Sequence, residues 1–588
     1  MSAKRRRSGS RSHRGALRAV KPSPGTRAAV DNKRSGVYWS AGALLVFGLS
    51  YINSVTAGIS WDESWFLQVL NRLRSGDVLY RDVFFGATPL SVYVGQAFTW
   101  LLGTEIWVVK AIAVLCFTVA AFLSYRIARQ LDSAQGFPLL IIILLIFARV
   151  QLVSLYTPLA DVLLLGCFSF TLSWMELVRK QADAANESPF RSKGTRPGEA
   201  QRHSNDPSPL GGEDGAQAPG EGSQTRKRTH KMLYLVTAVA AGLCFRAKQN
   251  LGLCALAALM LTVAVDSGYR QQGVRASLRT VSSVLIGFCP VCLAVLLPVW
   301  SSGGLGKLLE YGFLGKEAYV RYGGVSYLQG VRETMGFDPA RGVIYNLAGV
   351  YGALPFLLPF LAATGLLMAW RNMGQDERSR TAAVTLFAGA ALMSIYPIAN
   401  MAHLKDAIPV LVIALAYAWY RLKPRLSERW SLWTRTGVAV GLIPGLVLLF
   451  WLPLARIEQP TELATLPHSR GALIGVTPQA GLSRFRSILD AATGGQPVFF
   501  MSRYAGFYYL ITGLKNPTPF DFTYSTAFGR KGQQQVVASL AQRRILFLCI
   551  DTEEDRGGPL FPQLIRTYVD QSMDRYRDLG ICVLYRAR

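Results

Sequence analysis

Long apolar runs separated by short polar connections dominate the chain between residues 37 and 454. A helix needs about 20 apolar residues, at about 1.5 Å each, to cross a bilayer. Three of the runs are short, which leaves the count open by one or two. On this pattern we predict a polytopic α-helical membrane protein with eleven spans, at 37–58, 106–127, 137–154, 158–178, 232–246, 249–266, 281–300, 343–370, 381–399, 406–421 and 436–454.

The pattern changes after residue 454, where no further run is long enough to span a membrane. Short strand-like runs alternate there with helical periodicity, at 478–493, Pro497–Ser502, 530–543, Ile545–Ile550 and Ile581–Tyr585. Such alternation is typical of a small α/β fold. We therefore predict that residues 455–588 form an α/β domain outside the membrane.

The composition agrees with a membrane protein, since 51% of the residues are hydrophobic, 17% are charged and the mean hydropathy is +0.24. The formal net charge is +27, and the first 34 residues hold eleven Lys and Arg against one acid, Asp31. A basic tail of this kind could bind nucleic acid. In front of a membrane helix it more often marks the cytoplasmic side and contacts anionic membrane lipids. We predict a disordered cytoplasmic tail over 1–36 and no nucleic-acid partner.

Basic residues also predict the orientation of the spans. If the N-terminus is cytoplasmic, all five connections on that side contain Lys or Arg, as the positive-inside rule requires: Arg126 and Arg129; Arg179 to Lys231; Arg270, Arg275 and Arg279; Arg371, Arg378 and Arg380; and Arg421, Lys423, Arg425 and Arg429. The second of these includes a Ser-, Pro- and Gly-rich stretch, 181–230, that we predict to be disordered. An odd number of spans then places 455–588 outside. We predict a bacterial inner (plasma) membrane with a periplasmic or extracellular C-terminal domain, and an endoplasmic reticulum lumen is the alternative.

Two adjacent carboxylates follow the first apolar run, in the hexapeptide Ser60-Trp61-Asp62-Glu63-Ser64-Trp65. A charge at the hydrocarbon boundary is costly and is usually kept for function. Ser60 and Glu63 also have the spacing of a helix capping box, which is a purely structural explanation. Helical periodicity continues over Trp65 to Leu73, and the next residues, 76–90, are rich in Gly, aromatic and polar residues.

This arrangement resembles the first external loop of the GT-C glycosyltransferases, above all the protein-mannosyltransferase-like enzymes of glycosyltransferase family 39. The likeness rests on the Asp-Glu pair, the interfacial helix, Gly76-x-x-x-Tyr80-Arg81-Asp82 and Pro89-Leu90. It implies an external catalytic loop over 59–105 within a membrane domain over 37–454. It further implies that Asp62 is the general base, that Glu63 supports an acceptor or the loop helix, and that Arg81 and Asp82 contact substrate.

Further polar residues stand at the outer ends of the spans, on the predicted side of Asp62. They are Arg149 and Asp161, then Arg246, Lys248 and Gln249, then His403, Lys405 and Asp406. Arg and Lys suit a lipid phosphate, because they hold the anion and offset charge on the leaving group. Phe245 to Gly252 is similar to the Lys-Gln motif of bacterial members of the family, and Tyr396 to Lys405 to their Tyr-Pro and His-Leu stretch. We predict that these residues bind a polyprenyl-phosphate sugar donor.

The resemblance is incomplete, since this chain has Ile398 and Asn400 where relatives often carry Arg and Asp. For His403, Arg246 and Lys248, roles that involve no substrate are the alternatives to donor binding. His403 would be a helix-end histidine bonded to backbone, and Arg246 and Lys248 would extend to lipid headgroups.

Other candidate chemistry is sparse. Six cysteines lie in apolar spans, where thiols pack as small apolar groups. Cys549 and Cys582 lie in predicted strands, and they either form a disulfide or are buried as separate thiols. No cofactor motif is present; a divalent metal stays open, although no residues have zinc-ligand spacing. The Tyr-rich segment from Arg503 to Tyr509 and the stretch Gly513 to Asp521 either bind sugar or pack, and we favour packing.

Two other classes of protein would also combine many membrane spans with charged residues. A transporter or lipid flippase should place its polar groups near the bilayer midplane, whereas here they lie at the ends of the spans. A non-catalytic envelope assembly protein would tolerate loss of Asp62. An oligosaccharide transferase or polymerase would share the fold, which does not identify the sugar or the acceptor.

Overall fold

The computed structural model describes residues 41–131, 155–187, 221–269, 273–371, 373–425, 460–552 and 561–588. Two predicted spans, 137–154 and 436–454, lie outside these ranges, as do the tail 1–36 and Arg149. Within the described residues, six helices are long and apolar enough to cross a membrane, or seven if a bent pair at the start counts as one span. The prediction of a polytopic helical protein is confirmed.

Helices of five to 32 residues precede the C-terminal domain in the described ranges. Their bounds in chain order are α1 Ala41–Thr56, α2 Trp61–Arg74, α3 Leu90–Leu102, α4 Ile106–Leu131, α5 Tyr156–Glu187, α6 Glu221–Ala247, α7 Gln249–Tyr269, α8 Val274–Ser301, α9 Leu305–Leu309, α10 Lys316–Gly323, α11 Tyr327–Met335, α12 Gly342–Ala353, α13 Leu358–Trp370, α14 Gln375–Met393 and α15 Met401–Leu422.

Several boundaries differ from the predicted ones. The segment 381–399 is helical only to Met393, and the next helix begins at Met401 rather than at 406. The predicted disordered loop 181–230 is helical at both ends, because α5 extends to Glu187 and α6 starts at Glu221. Mostly polar residues continue both helices beyond their apolar parts, and hydropathy alone does not detect this.

The loop after α1 contains two helices, of which the amphipathic one was predicted. The chain turns by 93° between α1 and α2, and Gly58 supplies the positive φ of +75° within that turn. Ser60 then caps α2 in the predicted capping box. Gly95 lets α3 approach α2, since a Cβ there would lie 2.9 Å from Leu70 Cδ1.

The C-terminal residues form the predicted α/β domain. Its central sheet has the order β3-β4-β6-β5, with β3 and β4 parallel and the other pairs antiparallel. The strands and helices are β1 Thr461–Leu463, β2 Leu473–Gly475, α16 Val476–Thr493, β3 Val498–Met501, α17 Ala505–Thr512, α18 Ser525–Ala541, β4 Phe547–Asp551, α19 Gln563–Ser572, β5 Met573–Asp578 and β6 Cys582–Ala587. Strand β5 was not predicted, because five of its six residues are exposed at the sheet edge and the strand has no apolar run.

The two open questions about this domain's residues are answered by the structure. Cys549 and Cys582, on neighbouring strands, form a disulfide with their Cα atoms 5.7 Å apart. Tyr508 and Tyr509 are buried against Phe500, so the Tyr-rich segment packs, as we favoured.

The domain shares a hydrophobic core with the first loop. Trp61 stacks on Phe522 with their ring centroids 5.2 Å apart, and the ring centroids of Phe84 and Phe520 are 5.5 Å apart. At Gly506 a Cβ would lie 2.7 Å from the Trp65 Cα, so α17 packs directly on the backbone of α2. The loop and the sheet therefore form one structural unit, and α2 lies in that unit, outside the membrane-spanning helices.

A buried arginine of α2 forms the polar contact between the loop and the domain. Arg72 binds Asp77 at 2.7 Å and Asp521 at 3.0 Å. It also donates to the carbonyls of Thr518 (2.9 Å) and Asp82 (2.8 Å). Four acceptors from two chain segments, 77–82 and 518–521, thus surround one guanidinium, which suits the several donors of its planar fork.

Candidate active site

Asp62 lies in the first turn of α2 and remains partly accessible. Within the described residues its carboxylate accepts no side-chain hydrogen bond. Burial raises the pKa of Asp62 to about 7, the Lys405 ammonium acts in the opposite direction, and the neighbouring Glu63 carboxylate adds to the rise. A carboxylate that changes protonation near neutral pH is suited to accept a proton in a reaction.

Glu63 has a different environment although it is the next residue. Its carboxylate is buried, binds the Lys110 ammonium of α4 at 3.0 Å and accepts the Ser60 backbone N–H at 3.2 Å. Both oxygens therefore have partners inside the protein. This geometry fits the second of the two roles that the resemblance gave Glu63, support of the loop helix.

The start of α15 brings His403 and Lys405 towards Asp62. Asn400 caps the helix, and its Oδ1 lies 2.9 Å from His403 Nδ1. His403 Nε2 is 3.4 Å from the hydroxyl of Tyr319 on α10. The charge of Lys405 acts on Asp62, and the charge of Asp62 acts in turn on Tyr319. His403 is thus held by side chains, whereas the simpler prediction had it bonded to backbone.

Lys248 lies in the tight connection between α6 and α7, where Gly252 allows α7 to contact Phe245. Its ammonium binds the buried Asp406 carboxylate at 2.9 Å, and the charge of Asp161 also acts on it. The lysine is therefore neutralised inside the protein. Extension of Lys248 to lipid headgroups is wrong for this structure.

Arg246 is also buried, with its guanidinium 5.0 Å from the Phe245 ring centroid and close to Cys292 and Tyr80. Unlike Lys248, it forms no ion pair with a carboxylate in the described part of the chain. Gln249 donates to the Gly312 carbonyl at 2.9 Å and to the Gly86 carbonyl at 3.4 Å. A buried cation without a carboxylate partner suits a bound anion.

Lys316, at the start of α10, is a cation that was not among the predicted site residues. Its ammonium donates to the Gly86 carbonyl at 2.5 Å and lies 5.2 Å from the Tyr319 ring centroid. Burial lowers the pKa of Lys316 to about 8. The only signal in the sequence was its position in a connection predicted to lie on the side of Asp62.

The Tyr-Arg-Asp motif forms a tight turn in the loop. Tyr80 is fully buried, has a positive φ of +67° and donates to the Ala87 carbonyl at 2.7 Å. Arg81 is exposed and pairs with Asp82 at 2.9 Å, and this bond lowers the pKa of Asp82. Asp82 in turn accepts the Val78 backbone N–H at 2.9 Å. The described side-chain contacts of Arg81 and Asp82 are thus local to the turn, and substrate contact by these two residues stays a prediction.

One end of the bundle therefore collects Asp62, His403, Lys405, Lys316 and Arg246 around the first loop. We call these five residues the loop cluster. Among the described residues, no group of three or more His, Cys, Asp or Glu side chains is arranged to hold a metal ion. The arrangement offers one candidate base and several cations.

Comparisons with known proteins agree with this architecture. No family model and no curated protein matches the chain. Among solved structures, it is similar to ArnT from Cupriavidus metallidurans in the apo state, with a TM-score of 0.53, 14% identity and coverage of 94% of this chain and 98% of that one. ArnT bound to undecaprenyl phosphate matches with a TM-score of 0.50 and 14% identity, over 93% of this chain and 97% of that one. The archaeal oligosaccharyltransferase AglB from Archaeoglobus fulgidus matches with a TM-score of 0.47 and 11% identity, over 87% of this chain and 70% of that one.

The similarity to ArnT extends over nearly the whole of both chains. It shows that this chain has a GT-C fold, that of a multi-span membrane protein with a C-terminal domain. The closer relation to glycosyltransferase family 39 stays a prediction.

Proposed function

We propose that the chain is an integral membrane glycosyltransferase that moves a sugar from a polyprenyl-phosphate-linked donor to a glycan, lipid or protein acceptor. The observation that carries the proposal is the juxtaposition of Asp62 with the cations of the loop cluster at one end of a GT-C bundle. The undecaprenyl phosphate bound to ArnT supports the class of donor.

The proposed chemistry follows from these residues. Asp62 takes the proton of the acceptor hydroxyl, whose oxygen attacks the anomeric carbon of the sugar. The bond from that carbon to the phosphate oxygen breaks, and polyprenyl phosphate leaves with the electron pair. Arg246 and Lys316 offset the charge that develops on the phosphate. Lys405 keeps a positive charge close to Asp62 and favours its ionised form.

A direct assay tests the reaction. Purified protein in lipid nanodiscs, given membrane extract as a source of donor and acceptor, should release free polyprenyl phosphate, detected by mass spectrometry. A transporter or an assembly protein would leave the lipid-linked sugar intact. Absence of released polyprenyl phosphate under conditions in which the protein binds the lipid would contradict the proposal.

Two cations of the loop cluster should determine donor affinity. Lys316→Gln removes the charge but keeps an N–H donor for the Gly86 carbonyl, and Arg246→Gln removes the charge of the other proposed phosphate ligand. We expect each variant to weaken binding of undecaprenyl phosphate by about tenfold or more, because a charge-assisted hydrogen bond contributes about 1.5–3 kcal/mol. Native mass spectrometry of the nanodisc complex measures this affinity.

Arg321→Gln, an exposed change on the same helix as Lys316, is the matched control and should bind normally. Lys248→Gln is a poor test, because it leaves the buried Asp406 without its partner and costs about 3–5 kcal/mol of stability. If both Lys316→Gln and Arg246→Gln keep wild-type affinity, these residues do not hold the phosphate.

The orientation is also a proposal: the N-terminus is cytoplasmic and the C-terminal domain lies outside. The Cys549–Cys582 disulfide supports it, since disulfides persist in oxidising compartments. A reporter active only in the cytoplasm should be silent when fused after Arg588 and active when inserted within 181–230. Strong activity at the C-terminus would show that the number of spans is even.

A further inference from the structure

Helix α10 (Lys316–Gly323) lies between the loop cluster and the C-terminal domain. Residues one turn apart, Lys316 and Tyr319, make its contacts on the cluster side. Lys316 binds the Gly86 carbonyl at 2.5 Å, and the Tyr319 hydroxyl lies 3.4 Å from His403 Nε2. This side of the short helix therefore contacts both the first loop and the start of α15.

The C-terminal domain packs against the same helix through α18 (Ser525–Ala541). The two helices meet at Gly529, where a Cβ would lie 3.4 Å from the Cβ of Ala318. Gly529 has φ +52° and ψ −172° and breaks α18 at this contact. Only glycine adopts this conformation without strain, so the break places the α18 backbone directly on α10.

Helix α18 is itself firmly held in the domain. Val536 and Leu540 are buried in the core shared with the first loop. The Gln533 side chain accepts the Leu564 backbone N–H at 3.0 Å, which joins α18 to α19. The part of α18 that follows Gly529 is therefore anchored in the domain.

A second connection links the end of α10 to the start of α15. Just after α10, Val325 donates its N–H to the Pro397 carbonyl at 3.1 Å and accepts the Ala399 N–H at 2.9 Å. Ala399 directly precedes Asn400, the cap of α15 that holds His403. A displacement of α10 would therefore reach His403 both through Tyr319 and through this backbone pair.

From these contacts we propose that the C-terminal domain positions the loop cluster, with α10 as the connecting element and Tyr319 as the residue that positions His403. The importance of the cluster rests on the proposed function. The mechanical coupling between α18, α10 and the start of α15 does not depend on the proposed function, and it is measured separately.

Hydrogen–deuterium exchange of the full chain in nanodiscs tests the coupling without any substrate. Ala318→Leu adds bulk to α10 at its contact with α18 and leaves the domain sequence unchanged. We expect exchange to rise about five- to tenfold, both in 316–326 and at the start of α15 in 398–405, the size expected when one or two hydrogen bonds open. Gly529→Val should give the same pattern from the other side of the contact. Gln534→Ala, exposed on α18, is the control.

A rise in 316–326 with no change in 398–405 in either variant would overturn the proposal, because the coupling to α15 would be absent. Global unfolding of Gly529→Val does not affect this test, since Ala318→Leu probes the same contact.

Tyr319→Phe tests the positioning residue. It keeps the ring and removes only the hydroxyl near His403. We expect faster exchange in 398–405, a fall in kcat of about tenfold, and donor affinity within about twofold of wild type. Because Phe keeps the ring and its packing, a loss of 398–405 protection and of kcat in this variant is due to the missing hydroxyl. Unchanged kcat together with unchanged exchange would show that Tyr319 has no such role. If the exchange changes but no variant and no wild-type protein transfers sugar, the coupling stands and the proposed function fails.

Discussion

Replacement of Asp62 by Asn should lower sugar transfer by a factor of about 10²–10⁴, the usual contribution of a general base. Asn has nearly the same size and occupies the same position in the first turn of α2, so the helix should persist. It has no site that can take the acceptor's proton. The measurement is the initial rate of polyprenyl phosphate release by the purified protein in nanodiscs.

Two further variants separate this role from structural effects. Asp490→Asn makes the same chemical change at an exposed position of α16 and should be neutral. Glu63→Gln should keep partial activity, as its carboxylate is bound by Lys110 and by the Ser60 N–H. A wild-type rate for Asp62→Asn would mean that Asp62 only begins the helix.

Because the pKa of Asp62 is raised, Asp62→Asn should also change how stability and activity depend on pH. The folded pKa of about 7 lies above the ordinary value of 3.8, so the folded protein holds this proton more tightly than the unfolded chain. The stability that this group contributes is then lost as pH rises from about 4 through 7. Asp62→Asn should remove that loss and melt no lower than wild type at neutral pH. Wild-type activity should rise with pH up to about 7, as the carboxylate forms.

Replacement of Arg72 by Met should destabilise the contact between the first loop and the C-terminal domain by about 3–5 kcal/mol, the usual cost of removing one partner of a buried ion pair. Asp521 is fully buried, and burial raises its pKa while Arg72 lowers it. Without the guanidinium, Asp521 keeps its hydrogen bond from Asn516 but loses its cation, and the Thr518 carbonyl loses the Arg72 donor. Thermal unfolding of the detergent-solubilised protein measures the effect.

Arg74→Met is the matched control, because Arg74 is exposed and makes one hydrogen bond, to the Thr99 carbonyl at 3.0 Å. It should cost less than about 1 kcal/mol. Adding Asp521→Asn to Arg72→Met should restore part of the stability, since the uncompensated buried charge is then gone. Equal melting of Arg72→Met and Arg74→Met would show that this ion pair does not hold the domain in place.

Local patterns in the sequence predicted the parts of the structure that local forces determine. The spacing of Ser60 and Glu63 predicted the capping box, and apolar periodicity predicted α2, most of the membrane helices and the three buried strands of the C-terminal sheet. The positions of Arg246, Lys248 and His403 at helix ends followed from the same runs. Each of these features depends on residues close together in the chain.

The contacts that the sequence could not predict join distant segments. Glu63 and Lys110 are 47 residues apart, Lys248 and Asp406 are 158 apart, and Lys316 and Gly86 are 230 apart. Periodicity carries no information about which outer-end charges neutralise each other. For this reason Lys248 was predicted to bind a phosphate, while Lys316 and Tyr319, in a connection without a long apolar run, were not considered.

The ion pair between Arg72 and Asp521 spans 449 residues, and this separation has a consequence for biosynthesis. At about 5–20 residues per second, the ribosome needs roughly 20 to 90 s to make the domain that covers α2. During that time Trp61, Trp65 and Phe84 lack their partners Phe520 and Phe522. The newly made loop must therefore be shielded by the membrane surface or a chaperone. A chain that ends before residue 519 would leave this apolar face permanently uncovered, and quality-control proteases should remove it.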